Sequence, residues 1–430
     1  MKPTPGRLGR AAAVLAVAGL AVMIGGCAAN PSNGVTTLNF FQFKGEALED
    51  FDKIITDFEA ENPDIKVVQN QVADADTTIR TLLVKDKVPD VITLNANGGF
   101  GKLAQAGVFY DFSKEPVLQT INPAVQEILA KLGNKKGEVN GLGYVNNANG
   151  VIYNQDIFDK LGLQVPTTWD EFIAVCDKLE AAGITPFYGT LADSWTGLPS
   201  FNALGAYPSQ GDFWDKMRAE GENVGPDSEV SFQKDFPEAL DQQYELYSKY
   251  MQDGYRGKTY DDGNAAFAKG EVAMLLQGIW ATNPIKQVNP EIRAGIFPYP
   301  ATENPDDRLL VSGVDVVVTM GKNPPHKKEA MRFIDYMFQK GVIEEFAASQ
   351  NMVPSVKGAK LGDDPALQSV KPYFDEGRIT GFIDHQIPPS IPLAAIIQQF
   401  LFSGDTHAAL ATLDSEWAKV AARTIPVTGE

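Results

Sequence analysis

Between residues 35 and 107, short apolar runs of strand length alternate with stretches of helical periodicity, and few folds accept that order. Residues 35–41 read as a strand. From Gly45 onward Leu48, Phe51, Ile54, Ile55 and Phe58 recur at three- and four-residue steps, an amphipathic helix that Pro63 ends. Residues 65–68 give a second strand, 77–84 a second helix and 88–92 the opening of a third strand; a short helix over 102–106 stops at Gly107. This β-α-β-α-β-α order predicts a mainly parallel sheet covered on both faces, and ligands of such sheets collect at the carboxyl ends of the strands. Three loops lie there. The first carries Phe41, Phe43, Lys44 and Glu46, the second Asp74 and Asp76, the third Asn95 and Asn97. Lys44, Glu46 and Asn97 stand at strand exits and are read as cleft residues; Asp74 and Asp76 read as a solvated loop.

The chain has 430 residues and 44% hydrophobic content, enough for one large or two medium cores. Lys2, Arg7 and Arg10 precede an apolar run over 11–24 that closes on Gly25-Gly26-Cys27, the pattern of a secretory signal over residues 1–26. The run is too short to span a bilayer comfortably. Its Ile-Gly-Gly-Cys ending resembles a bacterial lipobox, which implies cleavage before Cys27, lipid on that residue, and a polar tether over 27–34. Cys176 is then the remaining cysteine, so no disulfide forms within the chain, and its helical spacing from Phe172 and Leu179 makes it a buried, inert thiol. Loss of the signal leaves 34 basic against 55 acidic residues, a net charge of −21. So acidic a surface argues against nucleic acid and anionic lipid as partners, and the lipid is the expected membrane contact.

Residues 141–154 (GLGYVNNANGVIYN) look like a crossover into a second lobe, with Asn147 and Asn149 at the cleft. Thr168 is an expected N-cap with Glu171 as its capping-box partner, and Trp169 and Phe172 pack that helix on its sheet. The loop over 191–196 follows a strand-like run and offers Asp193 and Trp195. A strand over 292–297 precedes a Pro-rich segment that reads as the return to the first lobe, and 353–355 as another crossing. Asp315 interrupts the apolar strand 311–320, so its carboxylate needs a partner, either a backbone donor or a ligand hydroxyl. Asp384 and His385 are adjacent in an extended segment, so their side chains diverge and ligand hydrogen bonding is a simpler use than acid–base chemistry. His326 and His407 read as surface residues.

Residues 264–284 read NAAFAKGEVAMLLQGIWATNP: the end of a helix, a Lys269-Gly270 stop, a buried strand over 272–276, and Gly278 just before Trp280. Trp280 therefore sits where a strand empties into a loop, the usual place for a ligand contact, or else packs in the core. This order resembles the extracellular solute-binding proteins of sugar ABC importers, the family that includes the maltodextrin-binding protein. There an AAF-x-KGE-x-AM stretch followed by G-x-W lies in the second lobe, and the resemblance implies that Trp280 stacks on a sugar ring. VPDVITLN at 88–95 and PTTWDE at 166–171 resemble further family segments, as does the crossover, although Val145 stands where Pro is common.

The resemblance implies an α/β, two-lobed periplasmic-binding-protein-like fold of type II, each lobe a mainly parallel sheet flanked by helices. Expected boundaries are 35–147 plus 297–353 for the first lobe and 148–296 plus 354–430 for the second. It also implies a monomeric, lipid-anchored protein on the outer face of the membrane that closes on an oligosaccharide, such as a maltodextrin, an isomaltooligosaccharide or a raffinose-type galactoside, and delivers it to the permease. Phe43, Trp195 and Trp280 would supply aromatic faces; Lys44, Glu46, Asn97, Asn149, Asp193, Asp315, Asp384 and His385 would supply polar contacts. No enzyme activity, cofactor or metal is expected, since the three histidines lie far apart and no nucleophile elbow, phosphate loop or dinucleotide fingerprint occurs. The competing readings are a secreted lipoprotein glycoside hydrolase, because carboxylates are abundant, and the same fold with a non-sugar cargo.

Overall fold

The computed structural model describes residues 34–72, 75–84 and 87–421. The expected signal segment, Cys27, the tether before Gly34 and Asp74 lie outside them, as do the side chains of Glu46 and Asp76. Strand-length apolar runs form two six-stranded sheets. The strands are β1 (Thr36–Gln42), β2 (Ile65–Gln71), β3 (Val91–Leu94), β4 (Leu142–Asn146), β5 (Asn149–Asn154) and β6 (Thr185–Phe187). They continue as β7 (Val272–Gly278), β8 (Ala294–Phe297), β9 (Leu310–Val311), β10 (Val314–Thr319), β11 (Val353–Pro354) and β12 (Ile379–Thr380). The first sheet runs β11-β4-β10-β3-β1-β2; the second runs β12-β9-β5-β7-β6, with β8 also on β5.

Both sheets are mixed, not mainly parallel. β1 is parallel to β2 and β3, but β10 is antiparallel to β3 and β4, and β5 is antiparallel to β7, β8 and β9. The cause is the traffic between lobes. A strand that has just entered a lobe, such as β5 or β10, runs away from the boundary, while β1, β3 and β7 run toward it. Their carboxyl ends therefore share one side, as open α/β sheets use them.

The chain passes from first sheet to second at Asn147-Ala148 and returns at Ser312-Gly313. The return comes later than residue 297, where the proline-rich segment suggested it. β8 and β9 both pair with β5, and Tyr299 and Ala301 are buried in the second core, so residues 297–311 belong to the second lobe. Phe40, Phe51, Phe58, Phe333 and Phe346 fill the first core, with ring centroids 4.8 Å apart for Phe51–Phe346 and 5.0 Å for Phe58–Phe333. Phe172, Phe187, Phe297 and Trp169 lie in the second core. Cys176 is buried there too, and burial pushes its thiol above the ordinary range.

Thr168 does cap its helix, accepting from the Glu171 N–H at 3.3 Å. The Glu171 carboxylate, however, turns back to the N–H and hydroxyl of Thr167, both at 2.8 Å, one residue before the expected partner. His326 is half-exposed, yet its Nδ1 lies 2.9 Å from buried Asp90, whose other oxygen accepts from the Asn39 N–H at 2.8 Å. No described helix is long and apolar enough to cross a membrane.

The helix Thr406–Ala421 closes the second lobe through Leu410, Leu413 and Trp417. Between these apolar residues stands Asp414, which is buried and accepts from the Phe232 N–H (2.8 Å), the Gln233 N–H (3.2 Å) and Gln233 Nε2 (2.8 Å). Asp414→Ala leaves these donors unmatched and is expected to cost about 2–3 kcal/mol. Thermal melts check this, and an unchanged Tm would refute the role given to the carboxylate.

Candidate functional site

On the first-lobe side, the turn after β1 is set by Gln42. Its Oε1 accepts from the Lys44 N–H at 2.7 Å while its Nε2 donates to Gln69 at 2.9 Å. So held, the Lys44 side chain is buried and its Nζ lies 2.9 Å from Asp315 Oδ2. Asp315 falls where β10 slips register between Val314 and Val316, a bulge that re-aims one side chain. Lys44 is thus one partner of the carboxylate that interrupts this apolar strand. Asn147 Nδ2 donates to the other carboxylate oxygen at 3.5 Å, and Asn95 Nδ2 to the Asp315 carbonyl at 3.4 Å. Lys44, Asn95, Asn147 and Asp315 therefore form one cluster at the strand ends.

Asn97 is engaged otherwise. Its Oδ1 caps the helix Gly98–Gln105, accepting from the N–H groups of Gly99 (2.8 Å) and Phe100 (3.1 Å). Phe43 is half-buried against the first core, and Glu46 lies in the turn Gly45–Ala47.

On the second-lobe side, β7 delivers Trp280 into a one-turn helix over Ile279–Ala281. The indole folds back over Gly278. A Cβ on that glycine would lie 2.1 Å from Trp280 Cζ3 and 2.4 Å from the Ala148 carbonyl oxygen, so no other residue fits the slot. The Nε1–H donates to Gln277 Oε1 at 3.1 Å, and Phe382 stands beside the ring with centroids 6.3 Å apart. Trp280 is half-buried, neither sunk in the core nor loose on the surface. Phe382 also stacks on His385 (5.3 Å, 29°) and lies over Gly313, where a Cβ would meet its ring at 2.9 Å. Because the Gly313 N–H donates to Asn147 Oδ1 at 2.9 Å, the aromatic ledge Trp280–Phe382–His385 joins the Lys44–Asp315 cluster through the crossover.

Asn149 is buried and donates to the Pro199 carbonyl at 2.7 Å; its Oδ1 has no hydrogen-bond partner. Asp384 donates its N–H to Asn202 Oδ1 at 2.9 Å, and its Oδ1 is 3.9 Å from His385 Nε2, too far for the hydrogen bond an acid–base pair requires. Asp193 Oδ2 accepts from the Tyr260 N–H at 2.7 Å, and Trp195, 40% exposed, leans on the Tyr260 ring at 5.0 Å. Asp193 and Trp195 thus meet at Tyr260 and form a second outpost. The Tyr260 hydroxyl, pushed up to about 12 chiefly by burial, stays a neutral donor.

The lobes also meet where the Gly98 α-carbon faces the His385 carbonyl and where Gln386 Nε2 donates to the Lys131 carbonyl at 3.2 Å. Beside them is an interlobe cavity of about 190 Å³, lined by Ile128, Lys131, Trp214, Val314, Phe382 and His385. Val314 faces it while its neighbour Asp315 reaches Lys44, so this cavity and the charged cluster flank β10 on different sides.

Sequence reasoning overlooked Phe382, Gln277 and Tyr260. The signal for Gln277 was available: a polar residue inside the apolar run of β7, three positions before Trp280. Among the described residues no group of three or more His, Cys, Asp or Glu side chains gathers as a metal site. Gly278→Ala forces the indole out of its slot. Loss of the bond to Gln277, a red-shifted tryptophan emission and destabilisation of about 1–3 kcal/mol are expected; emission and stability equal to wild type would show that Gly278 does not hold the ring.

A family model described as bacterial extracellular solute-binding protein matches residues 53–370. The chain is 28% identical over 366 residues to a multiple sugar-binding protein of Streptococcus mutans, covering 83% of this chain and 84% of that protein. It is 23% identical to the melibiose/raffinose/stachyose-binding protein MelE of Bacillus subtilis, covering 84% and 86% respectively. Among solved structures, the apo form of RafE from Streptococcus pneumoniae superposes with a TM-score of 0.81 at 26% identity, over 91% of this chain and 99% of that one. RafE in complex with raffinose gives 0.74 at 26% identity, over 90% and 100%. With a family match across most of the described chain and relatives named for binding sugars, this protein belongs to the bacterial extracellular solute-binding proteins.

Proposed function

We propose that this protein captures an oligosaccharide of the raffinose type between its lobes and presents it to an ABC transporter permease, tethered to the outer face of the membrane through lipid on Cys27. The observation that carries the reading is the Trp280 indole: half-buried, its N–H satisfied by Gln277, held in a glycine slot at the carboxyl end of β7. With its edge so engaged, what it can offer a ligand is a face, and the C–H surface of a pyranose suits an aromatic face. Across the crossover, Lys44 and Asp315 cancel each other's charge, which favours an uncharged, hydroxyl-rich ligand over an anion. Trp195 on its Tyr260 support would extend the aromatic surface to further sugar units, and the relatives that bind raffinose, melibiose and stachyose are consistent with that length.

Binding by hinge closure accords with the likeness being greater to ligand-free RafE than to its raffinose complex. Two of the site's carboxylates are already engaged, Asp315 by Lys44 and Asp193 by a backbone N–H, which favours binding over hydrolysis. The protein is therefore read as a binding protein and not an enzyme, acting as a monomer.

Calorimetric titration against raffinose, stachyose, melibiose, maltotriose and isomaltotriose, with the sugars recovered by chromatography, tests this. Saturable binding of intact sugar is expected, weakened about 10- to 100-fold in Trp280→Ala from the lost ring contact. Cleaved sugar would replace the reading with a glycosidase, and no binding across the panel would replace the cargo.

A further inference from the structure

The helix Tyr260–Ala268 packs on β7, and beside them lies a cavity of about 10 Å³ lined by Thr190, Tyr260, Asn264 and Gln277 together with apolar Met251 and Leu275. Asn264 is 3% exposed, and neither its Oδ1 nor its Nδ2 has a hydrogen-bond partner. The Tyr260 hydroxyl lies near enough for the Asn264 amide to offset part of the upward push that burial gives it. A buried amide left unpaired is strongly unfavourable, and a polar cavity of this size is the room one water needs when several donors and acceptors surround it. Gln277, on the same wall, is 5% exposed and already binds the Trp280 N–H through its Oε1.

We propose that Asn264 holds a single buried water in this cavity and, through that water and Gln277, fixes the angle of the Trp280 indole. Asn264 is thus a positioning residue that touches no ligand. The same water reaches Tyr260, on which Trp195 leans, so one buried molecule sets both aromatic outposts of the second lobe. The link to affinity rests on the sugar reading above; the link to the indole does not.

Asn264→Leu separates this role from mere packing, since leucine nearly matches asparagine in shape and carries no polar atom. In ¹⁵N-indole spectra, with the Trp280 signal assigned by Trp280→Phe, the variant is expected to shift the Trp280 N–H resonance and speed its exchange. Raffinose affinity falls about 3- to 30-fold through a coupling of that kind. Tm falls modestly, because the water and Gln277 lose the hydrogen bonds of the amide. An unchanged indole signal would overturn the proposal, whatever Tm does. A high-resolution crystal structure of the wild-type protein decides independently of any variant: a water bonded to both Asn264 and Gln277 supports it, and a dry cavity overturns it. If the wild-type protein binds no raffinose, the sugar reading fails while the indole and crystallographic readouts still judge Asn264.

Discussion

Everything in this molecule hangs on a pair of strand crossings stitched together side by side. The Asn147 N–H donates to the Gly313 carbonyl at 3.0 Å, the Gly313 N–H returns to Asn147 Oδ1 at 2.9 Å, and Ser312 Oγ donates to the Asn147 carbonyl at 2.7 Å. These bonds lie at the join of two separately packed cores. They set which strands enter each lobe and in which direction, and so which strand ends face the boundary. The same asparagine reaches Asp315, and the same glycine lies under Phe382. The join and the two halves of the candidate site are thus one set of contacts, and movement of one lobe against the other is felt directly at Asp315 and at the aromatic ledge.

The two halves are built differently. The first lobe offers charges that neutralise each other within a buried pair, which is costly to open unless a ligand supplies replacement hydrogen bonds. The second offers rings whose polar edges are already satisfied.

Much of this was legible from the residues. The alternation over 35–107, the capped helix at Trp169 and the strand before Trp280 follow local rules of periodicity and capping, and they stand as expected. Strand direction was not legible, because it depends on which lobe the chain has just left, a fact that no window of ten residues contains. The late return at Ser312 was hidden by Pro298 and Pro300, which look like a linker but lead into buried Tyr299. Asn97 reads as a strand-exit residue, and its capping of the helix that follows, through its side-chain oxygen, was not foreseen. Phe382 and Tyr260 escaped notice because aromatic residues are common in cores, and only the structure shows them beside Trp280 and Trp195.

The order of the first sheet also constrains how the chain can be made. Its middle position is taken by β10, whose residues follow those of β4 by more than half of the second lobe's length, and β11 arrives later still. A ribosome that has released β1 to β4 has produced two pairs of edges with no strand to join them. The first lobe therefore cannot fold as a vectorial unit, and neither can the second, which waits for Trp417. Long-range pairing of this kind folds slowly.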